Sequence, residues 1–372
     1  MTRKIAHLTT VDLSLRHLLL AQIEASLAAG DEVIGISARG PDVPFLEGRG
    51  MRFVELAGST RSMRLRSDLR AAWSLWRILR HERPDVLHTH NPKPGVYGRV
   101  VGRLAGVPRV VHTTHGLYAD PGDPLLKRVV VYAIEAVASR FSHVELVQNP
   151  EDLALMDRWH LASRRKLRLL GNGVDLDRFR PPAPDVRRAV RRELGLADDD
   201  VVVGLVCRLV AEKGVPELVT AVGRLGRPFR LLLVGPHDPE KADAVPPARL
   251  AEARAAGGVL TGHRDDVERL YAAMDVFCLP SHREGFPRAA MEAAACGLPV
   301  VATDIRGGRQ VVDPGRTGAL VAVRDPAALA EGLRPFVDAG LRERFGAAAR
   351  AKALTDFDEA GVVARVLDAY DR

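Results

Sequence analysis

A chain of 372 residues is too long for one typical hydrophobic core and suits two domains. At 47% apolar and 27% charged residues it has the composition of an ordinary soluble globular protein, and no apolar run is long enough to span a membrane; residues 129–138, flanked by Arg128, are too few and contain Glu135. The formal charge of +7 and a pI near 9.6 suit an anionic membrane surface or nucleic acid, but no helix-turn-helix, zinc-finger or RNA-recognition signature accompanies the charge, so nucleic acid is set aside.

The N-terminus enters the short apolar run Ile5-Ala6-His7-Leu8, which is too short for a signal-peptide core and predicts a first strand over residues 5–9. Thr9-Thr10-Val11-Asp12-Leu13-Ser14 follows, then a helix over 15–29. Strands are predicted next at 32–37, 52–56, 85–90, 109–115, 143–147 and 167–170, with helical stretches such as 69–81 between them. Residues 61–83 carry seven arginines mixed with Leu65, Leu69, Trp73, Trp76, Ile78 and Leu79. This amphipathic stretch has two readings: a surface helix with solvated arginines, or a basic face resting on acidic lipid headgroups. Two histidine-bearing segments follow strands, His88-Thr89-His90-Asn91-Pro92-Lys93-Pro94-Gly95 and His112-Thr113-Thr114-His115-Gly116.

Arg178-Phe179-Arg180-Pro181-Pro182-Ala183-Pro184-Asp185 reads as a proline-rich connector, with a short helix over 185–194 and a polar Asp198-Asp199-Asp200 loop after it. The alternation then repeats, with strands predicted at 201–207, 229–234, 259–261, 276–279, 299–302 and 319–321. Such alternation argues for two parallel, doubly wound α/β domains, over residues 1–180 and 181–354, with residues 355–372 as a last helix. Ligands in such sheets bind at the carboxyl ends of strands, where His90, His115, Gly171, Arg208 and Gly235 fall. The three cysteines, Cys207, Cys278 and Cys296, are odd in number and match no zinc spacing, so buried reduced thiols of a cytoplasmic protein are expected.

The most informative stretch is Arg283-Glu284-Gly285-Phe286-Pro287-Arg288-Ala289-Ala290-Met291-Glu292-Ala293. Its Gly-Phe-Pro turn predicts that Glu284 ends a loop, that a helix begins near Pro287, and that Glu292 lies about two turns along it. The open N–H groups at that helix start would seat an anion, and the acceptor-only carboxylates would bind diols. Upstream, Cys207-Arg208-Leu209-Val210-Ala211-Glu212-Lys213-Gly214 places two cations five residues apart after a β-branched run; they are either diphosphate ligands or two surface charges at a loop. Downstream come Cys296-Gly297-Leu298-Pro299-Val300-Val301-Ala302-Thr303-Asp304 and then Gly307-Gly308.

There is no G-x-G-x-x-G and no Walker A loop, which argues against nicotinamide, flavin or triphosphatase chemistry. Asp175-Leu176-Asp177 spells D-x-D but sits in the turn Gly171-Asn172-Gly173-Val174-Asp175, and reads as a cap or hinge rather than a metal site. No metal site and no cofactor are expected.

This ordered set resembles the retaining glycosyltransferases of family GT4, which have the GT-B fold: two Rossmann-like domains facing across a cleft. The likeness covers nearly the whole chain and is strongest over residues 201–321. It implies that the first domain holds the acceptor and the second a nucleotide diphosphate-sugar, a substrate rather than a cofactor, and that the last helix crosses back to the first domain. In the positions of the family's motif, Arg208 and Lys213 would stabilise the leaving diphosphate, Glu284 would meet the donor sugar hydroxyls and Glu292 the ribose. Gly285, Phe286 and Pro287 would contact sugar and phosphate, and Gly235 would lie at the donor side. His263-Arg264-Asp265-Asp266-Val267 would receive the base through its main chain, or be an ordinary turn. His115 matches the family's active-site histidine, with His90 and Lys93 on the acceptor side.

The chain departs from the family at the first loop, which lacks the usual Gly-Gly pair. There the hydroxyls of Thr9, Thr10 or Ser14 would either replace amide contacts to the diphosphate or cap a helix. Gln310 stands where many relatives carry glutamate. The implied reaction is retaining, metal-independent transfer from a UDP-sugar, such as a UDP-N-acetylhexosamine. Residues 85–120 resemble members that build bacterial surface polysaccharide on polyprenyl-diphosphate, so a saccharide or lipid-linked saccharide acceptor is expected, with the protein peripheral at the inner face of the cell membrane. A soluble small-molecule acceptor is the alternative, and a non-catalytic sugar-nucleotide-binding protein a further one.

Overall fold

The computed structural model describes residues 2–60, 65–90, 92–120, 122–239, 241 and 243–371. Arg61 and Arg64 of the basic stretch, and Asn91 of the first histidine segment, lie outside the described residues. The chain divides into two units, Met1–Gly171 with Ala360–Arg372, and Asn172–Glu359.

The first unit is built on the strands β1 (Lys4–Val11), β2 (Glu32–Ala38), β3 (Arg52–Glu55), β4 (Val86–His90), β5 (Arg109–Thr114), β6 (Val144–Val147) and β7 (Leu167–Leu169), all parallel, in the order β3-β2-β1-β4-β5-β6-β7. Its central strands are covered on both faces: β4, β5 and β6 are buried almost throughout, polar His88, Thr89, His90, His112, Thr113 and Glu145 included. Leu8, Ile34 and Leu87 pack on one face beneath the helix Leu65–Glu82, through its Ala71, Leu75 and Leu79. Ile5, Val86 and Val111 pack on the other face against Val362, Val366, Ala369 and Tyr370 of the last helix, Glu359–Asp371. Leu69 and Trp73 of the helix Leu65–Glu82 face outward, whereas Trp76 is half-buried and stacks on Trp73 at 5.1 Å between ring centres.

The second unit carries β8 (Val201–Val206), β9 (Phe229–Val234), β10 (Val259–Gly262), β11 (Val276–Leu279), β12 (Val300–Thr303) and β13 (Gly318–Val321), again all parallel, in the order β10-β9-β8-β11-β12-β13. Residues 172–180, assigned to the first domain from the proline-rich connector, belong here instead: Val174 and Phe179 are buried with Val202, Val276 and Ala293 in this unit's core. Apolar side chains, not prolines, set the boundary. Among the described residues no helix is long and apolar enough to cross a membrane.

In each sheet the strand order reverses at one point, between β1 and β4 and between β8 and β11. The chain leaves the two central strands in opposite directions there and opens a crevice at their carboxyl ends.

Candidate active site

The loop after β8 is pinned against the loop after β11. Leu209 and Val210 bury their side chains, a single 3-10 turn Ala211–Lys213 follows, and Gly214 reverses the chain at φ 70°. A Cβ on Gly214 would lie 2.0 Å from the carbonyl oxygen of Pro280, so only glycine lets the two loops approach. That approach places Nζ of Lys213 2.6 Å from Oε1 of Glu284. The Ser281 hydroxyl donates to the same oxygen at 2.8 Å, and the Thr303 hydroxyl donates to the Ser281 carbonyl. A Cβ on Gly307 would stand 2.5 Å from Cβ of Glu284, so the carboxylate is braced from a third side. Arg208, also after β8, is exposed and makes no side-chain hydrogen bond or ion pair with the described residues.

Beyond Glu284 the chain turns through Gly285, Phe286 and Pro287 into the helix Arg288–Ala295. The amide of Asn172 donates to the Phe286 carbonyl at 3.1 Å, and the Phe286 ring meets the Phe357 ring edge-on at 5.9 Å. Pro287 occupies the cap position and no side chain caps the helix, so its first N–H groups have no side-chain partner. Glu292, on this helix, accepts from the Tyr271 hydroxyl at 2.8 Å and has Arg288 at 3.6 Å. Burial pushes its carboxyl pKa up, and Arg288 and the Tyr271 bond offset part of that.

The neighbouring strand ends close the floor. A Cβ on Gly235 would lie 1.8 Å from the Cys207 carbonyl, and the N–H of Gly235 donates to Gly262 at 2.8 Å, so close backbone packing accounts for this glycine. Arg264 does not offer a free guanidinium. Glu193 holds it at 3.0 Å and Asp266 at 2.7 Å, so a ligand at this loop would meet main chain rather than a cation. Asp175 Oδ1 accepts the N–H groups of Asp177 and Arg178, which is turn-capping geometry.

In the first unit the switch point is lined with histidines. His7 on β1 pairs in register with His88 on β4, and His90 follows two residues on. His7 Nδ1 lies 3.2 Å from His90 Nε2, and His90 Nδ1 lies 3.2 Å from His115 Nε2, giving a continuous chain of three imidazoles. The Gln148 side chain also bonds His115. Burial lowers the pKa of His7 and of His115 to about 4 and pushes those of His88 and His90 well below the usual range, so all four are neutral near pH 7. His7, His88 and His90 offer nitrogens close enough to share a metal ion. Those of His88 are already bonded to Tyr370 and Thr113, and those of His90 to His7 and His115; only Nε2 of His7 has no partner. The cluster is a hydrogen-bonded network rather than an open ligand set.

Lys93 is not part of this chain: its ammonium is paired with Asp68 and donates to the Thr60 carbonyl at 3.0 Å. In the first loop the Thr9 hydroxyl donates to the Val11 carbonyl, Ser59 donates to the Thr10 carbonyl, and Ser14 is half-buried with no side-chain bond among the described residues. None of these hydroxyls caps the helix Asp12–Ala28. Instead the buried Asp12 carboxylate takes the N–H of Leu13 at 2.9 Å and of Asp42 at 2.8 Å.

Residues 18–178 match the family described as Glycosyltransferase Family 4, and residues 200–338 match Glycosyl transferases group 1. A D-inositol 3-phosphate glycosyltransferase of Xylanimonas cellulosilytica is 35% identical over 310 residues, covering 77% of this chain and 71% of that one. This chain is a family 4 glycosyltransferase. A UDP-Gal:alpha-D-GlcNAc-diphosphoundecaprenol alpha-1,3-galactosyltransferase of Escherichia coli is 28% identical to it over 328 residues, 83% of this chain and 81% of its own. Among solved structures, Anabaena HepE in complex with UDP superposes with a TM-score of 0.81 at 20% identity over 99% of both chains, which shows the GT-B fold.

Three groups of this glycosyltransferase escape sequence reading. Ser281 stands three residues before Glu284, a local spacing that was legible. Tyr271 reaches Glu292 across 21 positions, and His7 lies in what reads only as an apolar first strand. The partners of Tyr271 and His7 follow from tertiary packing, which no local pattern encodes.

Proposed function

We propose that this glycosyltransferase moves a sugar from a UDP-sugar, such as a UDP-N-acetylhexosamine, onto a hydroxyl of a polyprenyl-diphosphate-linked saccharide, with retention at the anomeric carbon and without a metal ion. The observation that carries the donor half is the Lys213–Glu284 contact at the second sheet's switch point, beside a helix start without a side-chain cap. A diphosphate entering there would draw the Lys213 ammonium and the open Arg208 guanidinium, leaving Glu284 to accept from sugar hydroxyls. Glu292 would take ribose hydroxyls, with Tyr271 holding its other oxygen. The bond from the anomeric carbon to the leaving phosphate breaks, a phosphate oxygen takes the acceptor hydroxyl's proton, and the new glycosidic bond forms on the same face. The two cations and the helix start stabilise the charge that develops on the diphosphate. A neutral His115 suits a hydrogen bond to the donor sugar rather than a charge.

The Escherichia coli relative, named for a diphosphoundecaprenol acceptor, supports the lipid-linked reading. The Xylanimonas relative, named for D-inositol 3-phosphate, favours a second one in which the acceptor is small and soluble. Thermal stabilisation by a panel of nucleotide-sugars would identify the donor, because a ligand that binds only the folded state raises the melting point. Turnover with that donor on polyprenyl-diphosphate saccharide and on inositol phosphate then separates the acceptors. Transfer only to inositol phosphate would overturn the first reading, an inverted anomer by NMR would overturn retention, and loss of activity in EDTA restored by Mg²⁺ would overturn metal independence.

A further inference from the structure

The apolar run over residues 129–138, too short to span a membrane, falls in the helix Leu125–Ala138 of the first unit. Its inward face is set by Tyr132, Glu135 and Ala138, which are buried. Glu135 is turned inward to the fully buried guanidinium of Arg99, 2.6 Å away, so the one acid of the helix is removed from its outer surface. The outer surface is then entirely apolar along a stripe. Leu125 is 71% exposed, Leu126 76%, Val129 54% and Val137 51%, with Val130 and Ile134 exposed between them. These positions recur at the spacing of one helix face, yet none of the described residues covers that face. A contiguous exposed apolar surface of this kind marks an interaction site.

Two features choose the occupant. First, the stripe is one helix wide and roughly 20 Å long at 1.5 Å per residue, a few hundred Å² at most, whereas each partner in a stable protein interface buries about 800 Å². Second, cations stand at its edges: Arg128 in the first turns and exposed Arg140 just past the end, with Lys127 paired to Asp123 at 2.8 Å and Asp120 before the start leaving a small net positive charge. Trp159 is half exposed beside it, 6.3 Å from the Tyr132 ring, an amphipathic side chain suited to a headgroup layer. An apolar stripe with cationic edges lies in the plane of an anionic leaflet, chains down and charges at the phosphates.

We propose that the exposed face of the helix Leu125–Ala138 inserts into the headgroup region of an anionic phospholipid leaflet and holds the enzyme at the membrane. The proposal deepens the lipid-linked acceptor reading and rests on it for its purpose, though not for its geometry. It also moves the docking element away from the arginine-rich helix Leu65–Glu82, which among its described residues exposes only Leu69 and Trp73 as large apolar side chains.

The test is co-sedimentation of the full chain with phosphatidylglycerol/phosphatidylethanolamine vesicles and with phosphatidylcholine vesicles. Binding should need the anionic lipid, and the triple variant Leu126→Gln/Val130→Gln/Ile134→Gln should bind about tenfold more weakly or less. Thermal stabilisation of that variant by UDP should be unchanged, since its side chains face outward. Arg66→Gln/Arg70→Gln in the other helix should bind within about threefold of the unmodified chain. Unchanged vesicle binding by the triple variant, no binding by the unmodified chain, or a concentration-dependent dimer that the triple variant abolishes would each overturn the proposal. Vesicle binding without transfer to a lipid-linked acceptor would leave docking standing and remove the acceptor reading. Transfer to that acceptor in detergent without vesicle binding would do the reverse.

Discussion

The ammonium of Lys213 and the carboxylate of Glu284 meet at 2.6 Å although 71 positions separate them in the chain. Their strands, β8 and β11, are neighbours in the sheet, and Gly214 lets the two following loops touch. The pair is half-buried, and on the proposed reading a diphosphate would draw Lys213 away from the Glu284 carboxylate. Removing either cation should therefore act on the transition state. Lys213→Ala and Arg208→Ala are each expected to lower turnover by about 100-fold or more, with the thermal midpoint little changed. Near-normal turnover in both would remove the diphosphate assignment.

Gly307 should behave as a positioning residue. Its missing Cβ is the space that Glu284 occupies, at 2.5 Å. Gly307→Ala is expected to displace the Glu284 carboxylate and reduce transfer by on the order of 10- to 100-fold, because small misplacements of reacting groups are expensive. Steady-state kinetics beside a melting curve checks this; a variant with full activity would show that the contact does not set Glu284.

The histidine network makes the first unit acid-sensitive. Burial keeps His7 and His115 neutral down to about pH 4, whereas the unfolded chain takes up those protons near pH 6.5. Between these values the unfolded state binds more protons, so stability falls as pH drops from about 6.5 towards 4. For fully buried His7 alone the loss is on the order of 2 kcal/mol by pH 5. Urea unfolding at pH 7, 6 and 5 should show the decline, and His7→Gln should flatten it. An unchanged slope in that variant would count against the assignment.

Arg99 is the charge on which the first unit's interior depends. It is fully buried, bonds Glu145 at 2.9 Å and Glu135 at 2.6 Å, and donates to the Gly95 carbonyl at 2.7 Å. Arg99→Met should destabilise by about 3–5 kcal/mol, since it strands buried carboxylates. Adding Glu145→Gln should recover part of that loss, as a neutral amide costs less to bury. Equal stability of the single and double variants in urea would contradict the coupling.

The sheets were legible in the sequence because buried parallel strands leave short β-branched runs, and every strand expected at residues 5–9 through 319–321 has its counterpart between Lys4 and Val321. The Gly-Phe-Pro turn announced the helix at Arg288, because proline and glycine act locally. The ordered set from Arg208 to Gly308 named the family for the same reason: each motif is a contiguous loop fitted to one strand end. What depended on non-consecutive neighbours was not legible. The order β3-β2-β1-β4 brings His7 to His90, and the order β8-β11 brings Lys213 to Glu284. The partners that folding supplies, Glu193 and Asp266 to Arg264 and Asp68 to Lys93, were likewise not legible. The apolar stripe from Leu125 to Val137 could as well have been core. Hydropathy states how much a helix gains by leaving water, but only the packing of Glu135 and Tyr132 inward decides which face is left outside.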